Sequence, residues 1–298
     1  MTTPSSAHVP VLLEEVLEWF DPRPGQVLVD GTLGGGGHAR ALAGRVGAAG
    51  RIVALDRDPG AVERGARELA GAPVSVVHAD FRDLPEVLGQ LNFAKVDGVL
   101  LDLGLSSDQL EDPRRGFSFA AEGPLDLRFD PTSGEPAWRL INRLDEKRLA
   151  DLIFEFGEER YSRRIARAIV RRRSEKPIET TAELAELVRR SVPRSPSARR
   201  LDPATRTFQA LRIAVNGELE SLEGVLARVP ECLVSGGRFA VISFHSLEDR
   251  RVKQSFRDDP RWEVLTRKPV RPGREEVRRN PRARSAKLRV AQRVSGPP

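Results

Sequence analysis

Short apolar runs alternate with helical periods through the first hundred residues. QVLVD (26–30), RIVALD (51–56), VSVVHAD (74–80) and VDGVLLDLG (96–104) are brief, rich in β-branched residues and closed by Asp or Gly. That is the pattern of strands buried on both faces. Between them, HARALAGRV, DPGAVERGARELA and LPEVLGQL carry apolar residues three and four apart, which predicts helices. Strands alternating with helices pack as a parallel sheet with right-handed crossovers. The expectation is a Rossmann-like α/β domain.

From Pro113 to about Asn216 the pattern changes. Charged helical stretches such as DEKRLADLIFEFGEERYSRRIARAIVRRR and TAELAELVRRSV are separated by loops at PTSGEPA and PRSPSARRLDP, and no comparable strand run intervenes. A helix over about 217–234 follows, then GRFAVISF (237–244) restores a strand signal, and RWEVLTRK and AKLRVAQRV supply two closing strands. The predicted organisation is a discontinuous α/β domain, 1–112 with 217–298. A helical insertion, 113–216, follows the fourth strand. RRNPRARSAK is biased enough in composition to be disordered on its own. There is no internal repeat.

Composition narrows the chemistry. In a chain of 298 residues the single cysteine, Cys232, excludes a disulfide framework and a cysteine-rich zinc site. His8, His38, His78 and His245 show no metal-ligand spacing, so no metal centre is expected. No apolar run approaches the roughly 20 residues of a membrane helix, and MTTPSSAHVPVLLEEV lacks the basic and apolar regions of a signal peptide. The expectation is a cytoplasmic protein without a membrane partner. The net charge of +6 is unevenly spread: −8 over residues 1–112, +7 over 113–216, −2 over 217–260 and +9 over 261–298. An acidic part joined to two basic ones points to a polyanion, nucleic acid first, held beside a site of different character.

Asp30-Gly31-Thr32-Leu33-Gly34-Gly35-Gly36-Gly37-His38 falls between a strand and a helix. Glycines there let a ligand approach the backbone, and the helix start offers free N–H groups. Gly34, Gly36 and Ala39 also satisfy the looser dinucleotide pattern, which keeps a nicotinamide enzyme in view. Asp56 ends the second strand, where a carboxylate can accept two ribose hydroxyls. Asp80-Phe81 follows the third, where an acid and an aromatic can meet an adenine, and Asp102 ends the fourth. Open α/β sheets bind ligands at that carboxyl edge. The fourth carboxylate favours an S-adenosylmethionine methyltransferase over a dehydrogenase. Tyr161 lacks a lysine four residues on, which removes one proton relay a dehydrogenase uses.

HVPVLLEEV (8–16), DGTLGGGGHAR (30–40), DLGLSSDQL (102–110), RGFSF (115–119), GPLDLRFD (123–130), FGEER (156–160), FQALRIAVNGEL (208–219), ISFHSLEDRRVK (242–253) and NPRARSAKLRV (280–290) resemble the motifs of one family. It is the bacterial ribosomal RNA small subunit methyltransferase H family, and the resemblance spans nearly the whole chain in order. It implies a Rossmann-like methyltransferase sheet and S-adenosylmethionine as methyl donor. It also implies, as substrate, the exocyclic N4 of a cytosine in 16S ribosomal RNA of an assembled small subunit. Matched motif by motif, Gly36, Gly37 and His38 fall on the donor loop, Asp56 on the ribose acid and Phe81 on the adenine side. Asp102 and Gln109 fall on the remaining donor contacts.

Cytosine N4 is a poor nucleophile because its lone pair is delocalised into the ring, so an enzyme helps by accepting its N–H and aligning it. Many amine-methylating enzymes place a D/N/S-P-P-aromatic motif after the fourth strand; here Asp102-Leu103-Gly104-Leu105 stands there. Two catalytic candidates remain, Asp102 and His245, the latter in Ser243-Phe244-His245-Ser246 with Phe244 able to stack on the base. For the RNA backbone the candidates are Arg114 and Arg115, the Arg163–Arg173 run with Arg171, Arg172 and Arg173, Arg199-Arg200, and Arg282 and Arg284 in the tail. The insertion is then the RNA-recognition part, and its apolar faces allow a homodimer. The alternative from another class is a ribosome-binding assembly factor with little turnover.

Overall fold

The computed structural model describes residues 10–119, 122–193 and 202–294. It divides into two compact units, 1–105 with 219–298 and 106–218. In chain order the first unit opens with α1 (Leu13–Phe20), β1 (Val27–Asp30), α2 (Gly37–Val46), β2 (Arg51–Asp56), α3 (Pro59–Glu68), β3 (Val74–His78), α4 (Leu84–Gln90) and β4 (Val96–Asp102). The second holds α5 (Ser107–Glu111), α6 (Ala137–Arg143), α7 (Glu146–Gly157), α8 (Ser162–Arg173), α9 (Thr181–Ser191) and α10 (Ala204–Asn216). The chain then forms α11 (Glu218–Cys232), β5 (Leu233–Ser243), α12 (Ser246–Asp258), β6 (Trp262–Val264), α13 (Arg274–Arg279) and β7 (Lys287–Arg293).

One seven-stranded sheet runs in the order β3-β2-β1-β4-β5-β7-β6. The first five strands are parallel, and β7 is antiparallel to both β5 and β6. Strand residues of one parity, Val29, Val53, Leu55, Val99 and Leu101, join Leu88 of α4, Leu222 and Val225 of α11 and Phe256 of α12. The other parity, Leu28, Ile52, Ala54 and Leu100, joins Phe20 of α1, Leu42 of α2 and the tail's Ala283 and Ala286. Helices therefore cover both faces, which is why these strands read as continuous apolar runs. Register brings the strand ends level, with Asp30 opposite Leu100, Asp56 opposite His78 and Asp102 opposite Ile242.

The second unit is helical. Among its described residues, one isolated bridge, Pro124 to Thr180, is the sole strand-like pairing outside named strands. The apolar faces of its helices are spent inside the unit: Leu149 and Ile153 of α7, Ile165 and Ile169 of α8, Leu184 and Val188 of α9, and Leu211 of α10 are all fully buried. Among the described residues Phe154, 59 % exposed, is the large apolar side chain left outside. The break falls at Ser106, where the sequence predicts Pro113, because the short helix α5 groups with the second unit. The tail segment RRNPRARSAK forms the end of α13, a 3₁₀ turn over Pro281–Ser285 and the start of β7. Among the described residues no helix is long and apolar enough to cross a membrane.

Candidate functional site

The carboxyl edge of β1, β2 and β4 collects charged side chains that burial would otherwise forbid. Asp30 is fully buried; its Oδ1 accepts the Thr32 N–H at 3.1 Å, and its Oδ2 has no hydrogen-bond partner. Burial pushes its carboxyl up to about 6, against the pull of the His38 charge. His38, 5 % exposed at the start of α2, lies with Nε2 3.5 Å from Asp102 Oδ2. Burial pulls the imidazole down, but Asp102 and then Asp30 more than offset it, and the net shift is upward. Asp102 Oδ1 is buried and unpartnered, while its backbone N–H donates to Thr32 Oγ1 at 2.6 Å.

The loop before α2 is shaped to approach a ligand. Gly34 and Gly36 take φ of +50° and +73°, in the left-handed region that favours glycine. A Cβ at Gly37 would overlap the Pro10 ring, which lies directly on the loop. Asp56 carries the loop from the second strand, accepting the backbone N–H of Gly34 and of Asp58, each at 2.8 Å. Its carboxyl is raised by burial, against those two hydrogen bonds. Phe81 starts a 3₁₀ turn, with its Cβ 3.3 Å from where a Cβ on Gly31 would stand. Gly36, Gly37, His38, Asp56, Phe81 and Asp102 thus all belong to the one edge.

Other predicted residues are placed differently. Asp80 is committed to the protein: it accepts from the Arg82 N–H at 2.9 Å and the Ser221 hydroxyl at 3.0 Å, with Arg57 3.3 Å away. Gln109 is in α5 of the second unit, 6 % exposed, where its Oε1 accepts the Ser106 N–H in a capping box. His245 begins α12 and Phe244 sits beside it, after β5, the strand next to β4. A Cβ at Gly104 would stand 3.5 Å from Phe244 Cδ2, so the two candidate segments for the acceptor side are neighbours. Thr32, Pro10 and Glu248 were not singled out by the sequence. Their signals were faint: a hydroxyl in the glycine loop, the proline of the first motif, and a glutamate three residues after His245.

The arginines sort into internal struts and open charges. Arg115 donates to the carbonyls of Arg128 and Phe129 at 3.1 and 2.7 Å, and Arg114 pairs with Asp112 at 2.9 Å. Arg172 pairs with Glu183 at 2.5 Å, and Arg173 donates to the Ile141 carbonyl. Arg163, Arg164, Arg167 and Arg171 lie on the exposed side of α8, where Arg167 Nε stands 3.4 Å from Glu146 Oε1. In the tail, Arg284 is exposed and Arg282 half-buried. Arg199 and Arg200 lie outside the described residues, as does His8 of the first motif.

The buried charges predict a pH dependence of stability. A histidine with a raised native pKa stabilises below its unfolded value of about 6.5, and that contribution fades as pH rises through the native value. Asp30, pushed up to about 6 by burial, acts in the same sense at lower pH: ionising it inside the fold is costly, so its contribution is lost between about pH 4 and pH 6. The thermal midpoint is therefore expected to fall as pH rises from about 4, first through the Asp30 range and then, above about 6.5, through that of His38, and His38→Asn to flatten the upper part of that fall. A scanning-calorimetry series with equal slopes for the two proteins would contradict the assignment.

The family model of the MraW methylase family matches residues 5–294. A ribosomal RNA small subunit methyltransferase H of Thermomicrobium roseum is 49 % identical over 312 aligned positions, covering 98 % of this chain and 95 % of that protein. Namesakes from Rhodopirellula baltica and Sorangium cellulosum are 50 % and 51 % identical, covering 96 % and 97 % of this chain and 91 % of each relative.

Proposed function

Because the chain belongs to the MraW methylase family, we propose that it transfers the methyl group of S-adenosylmethionine to the exocyclic N4 of a cytosine in 16S ribosomal RNA of the small ribosomal subunit. The sheet is the Rossmann-like one of S-adenosylmethionine-dependent methyltransferases, with its reversed seventh strand. The observation that carries the proposal is Asp102: a buried carboxylate oxygen without a partner at the end of β4, beside the glycine loop. The relatives described above carry the ribosomal RNA activity in their names.

The residues present fit the donor. Gly36 and Gly37 bring backbone close, Asp56 presents a carboxylate toward ribose hydroxyls, and Phe81 covers the adenine side. His38 Nε2, 3.5 Å from Asp102 Oδ2, stands beside that carboxylate. S-adenosylmethionine supplies an electrophilic methyl carbon on a sulfonium. Asp102 Oδ1 accepts one N–H of the incoming amine, which returns electron density to N4 and aligns its lone pair. With the donor bound, N4 would take up the methyl carbon as the thioether leaves with the C–S electron pair, and the surplus N4 proton would pass to water. No strong base is required.

On the RNA side, the open arginines of α8 track phosphates, and Arg284 with Arg282 adds to them from the tail. Aromatic residues make up 5 % of the chain, too few for an extended stacking platform, so one base is taken out of its stack while shape and phosphates do the rest.

Asp56→Ala is expected to weaken donor binding by roughly 1.5–3 kcal/mol, the worth of hydrogen bonds to a charged group. Titration calorimetry with S-adenosylmethionine reads this directly, and an unchanged dissociation constant would remove Asp56 from the ribose site.

A further inference from the structure

The turn Ser243-Phe244-His245-Ser246 is organised by one buried carboxylate. Glu248, 2 % exposed, accepts through Oε2 the backbone N–H of Phe244 at 2.8 Å and of His245 at 3.3 Å. Its Oε1 lies 3.1 Å from His245 Nε2, and its own backbone N–H points at His245 Nδ1 from 3.5 Å. An N–H aimed at Nδ1 needs a lone pair there, which assigns the ring proton to Nε2, a buried nitrogen close to Oε1 but without a hydrogen bond to it. Glu248 thereby sets the tautomer and direction of one ring and the backbone of two residues.

A helix start alone does not ask for this. Ser, Thr, Asp and Asn are the favoured N-cap residues, and a capping box works with Gln as well as Glu. Here the cap is a histidine, and the turn it fixes borders the fourth-strand motif. The Leu103 N–H donates to the Ile242 carbonyl at 3.0 Å, and the Phe244 ring lies against Gly104, two residues from Asp102. The helix is itself tied to the sheet, since Asp249 pairs with Lys287 at 3.0 Å and Arg289 at 2.7 Å, both on β7.

We infer that Glu248 is a positioning residue: it holds Phe244 and His245 as a fixed rim beside Asp102, against which the acceptor base is oriented. The inference rests on the cytosine reading above. Phe244 offers a ring face for a base taken out of its stack, and a rim pinned at its backbone and at the imidazole keeps N4 on line with Asp102. Nδ1 of His245 meets the Glu248 N–H and Nε2 is buried beside the Glu248 carboxylate, so its part here is the placement of the base.

The test uses Glu248→Gln, His245→Asn and the double variant on small subunits lacking the modification, with donor affinity by calorimetry and thermal midpoint measured alongside. Glutamine keeps the capping box and asparagine keeps the N-cap, so the fold survives in both. A glutamine amide would set an N–H₂ against Nε2–H and displace the ring. Expected is a kcat about tenfold lower for Glu248→Gln with donor affinity unchanged, and no further loss when it is added to His245→Asn, as for two residues acting as a unit. Wild-type kcat in Glu248→Gln, or losses that simply multiply in the double variant, overturns the inference and leaves Glu248 a helix cap. Failure of the cytosine reading shows separately, as wild-type protein that binds donor and methylates no cytosine, and it takes the inference with it.

Discussion

Asp102→Asn is expected to lower kcat for methyl transfer by roughly 10²–10³ at saturating donor, the range for losing a positioned acceptor of an amine proton. The substitution keeps the shape of the side chain and changes two things. It removes the charge 3.5 Å from His38 Nε2, and it allows an amide N–H₂ to occupy the place of Oδ1, the oxygen that is buried without a partner. A carboxylate only accepts, whereas an amide rotated by half a turn meets the substrate amine donor to donor. Donor affinity is expected to fall as well, because Asp102 ends β4 beside the glycine loop proposed to hold the donor, so the decisive quantity is kcat with the donor site filled. An Asp102→Asn protein that turns over at the wild-type rate would assign Asp102 to donor binding alone.

Reversing the four exposed arginines of α8, Arg163, Arg164, Arg167 and Arg171, to glutamate is expected to cut affinity for small subunits by at least ~100-fold. It should also shorten the slope of log K against log salt by about 3, at roughly 0.7–0.9 for each phosphate no longer neutralised. These charges do little for the helix. Arg163 and Arg164 occupy the first turn, where no acidic residue is present and the dipole disfavours cations. Arg163 with Arg167, and Arg167 with Arg171, are like charges four residues apart, an arrangement that weakens helices. Glutamates at 163 and 164 suit the dipole better, so a loss of RNA binding would come with folding intact. An unchanged salt slope would make this face a solvated surface with no part in binding.

The same helix shows where sequence reading stops. The Arg171-Arg172-Arg173 run looks like one cluster, yet Arg172 turns to Glu183 and Arg173 to the Ile141 carbonyl. Consecutive helical residues point 100° apart, and which of them meets a partner depends on how α6 and α9 pack against α8. Strands were legible because burial on both faces leaves an unbroken apolar run; β2 spans Arg51–Asp56, the run read from sequence. β5 starts at Leu233, four residues before its apolar stretch, because VSGG hides the strand's polar beginning. At the site, strand-end aspartates and the glycine loop could be read from position alone. The burial of Asp30, the commitment of Asp80 to Ser221 and arginines, and the hold of Glu248 on His245 could not, since each depends on neighbours that sequence spacing does not encode.

Offering labelled S-adenosylmethionine together with small ribosomal subunits lacking the modification, then analysing the nucleosides, reads the reaction itself. Label in N4-methylated cytidine is the predicted result and fixes donor, acceptor atom and substrate together. Label in another nucleoside, or none despite tight binding of both donor and subunit, would contradict it and shift the weight to a ribosome-binding factor with little turnover.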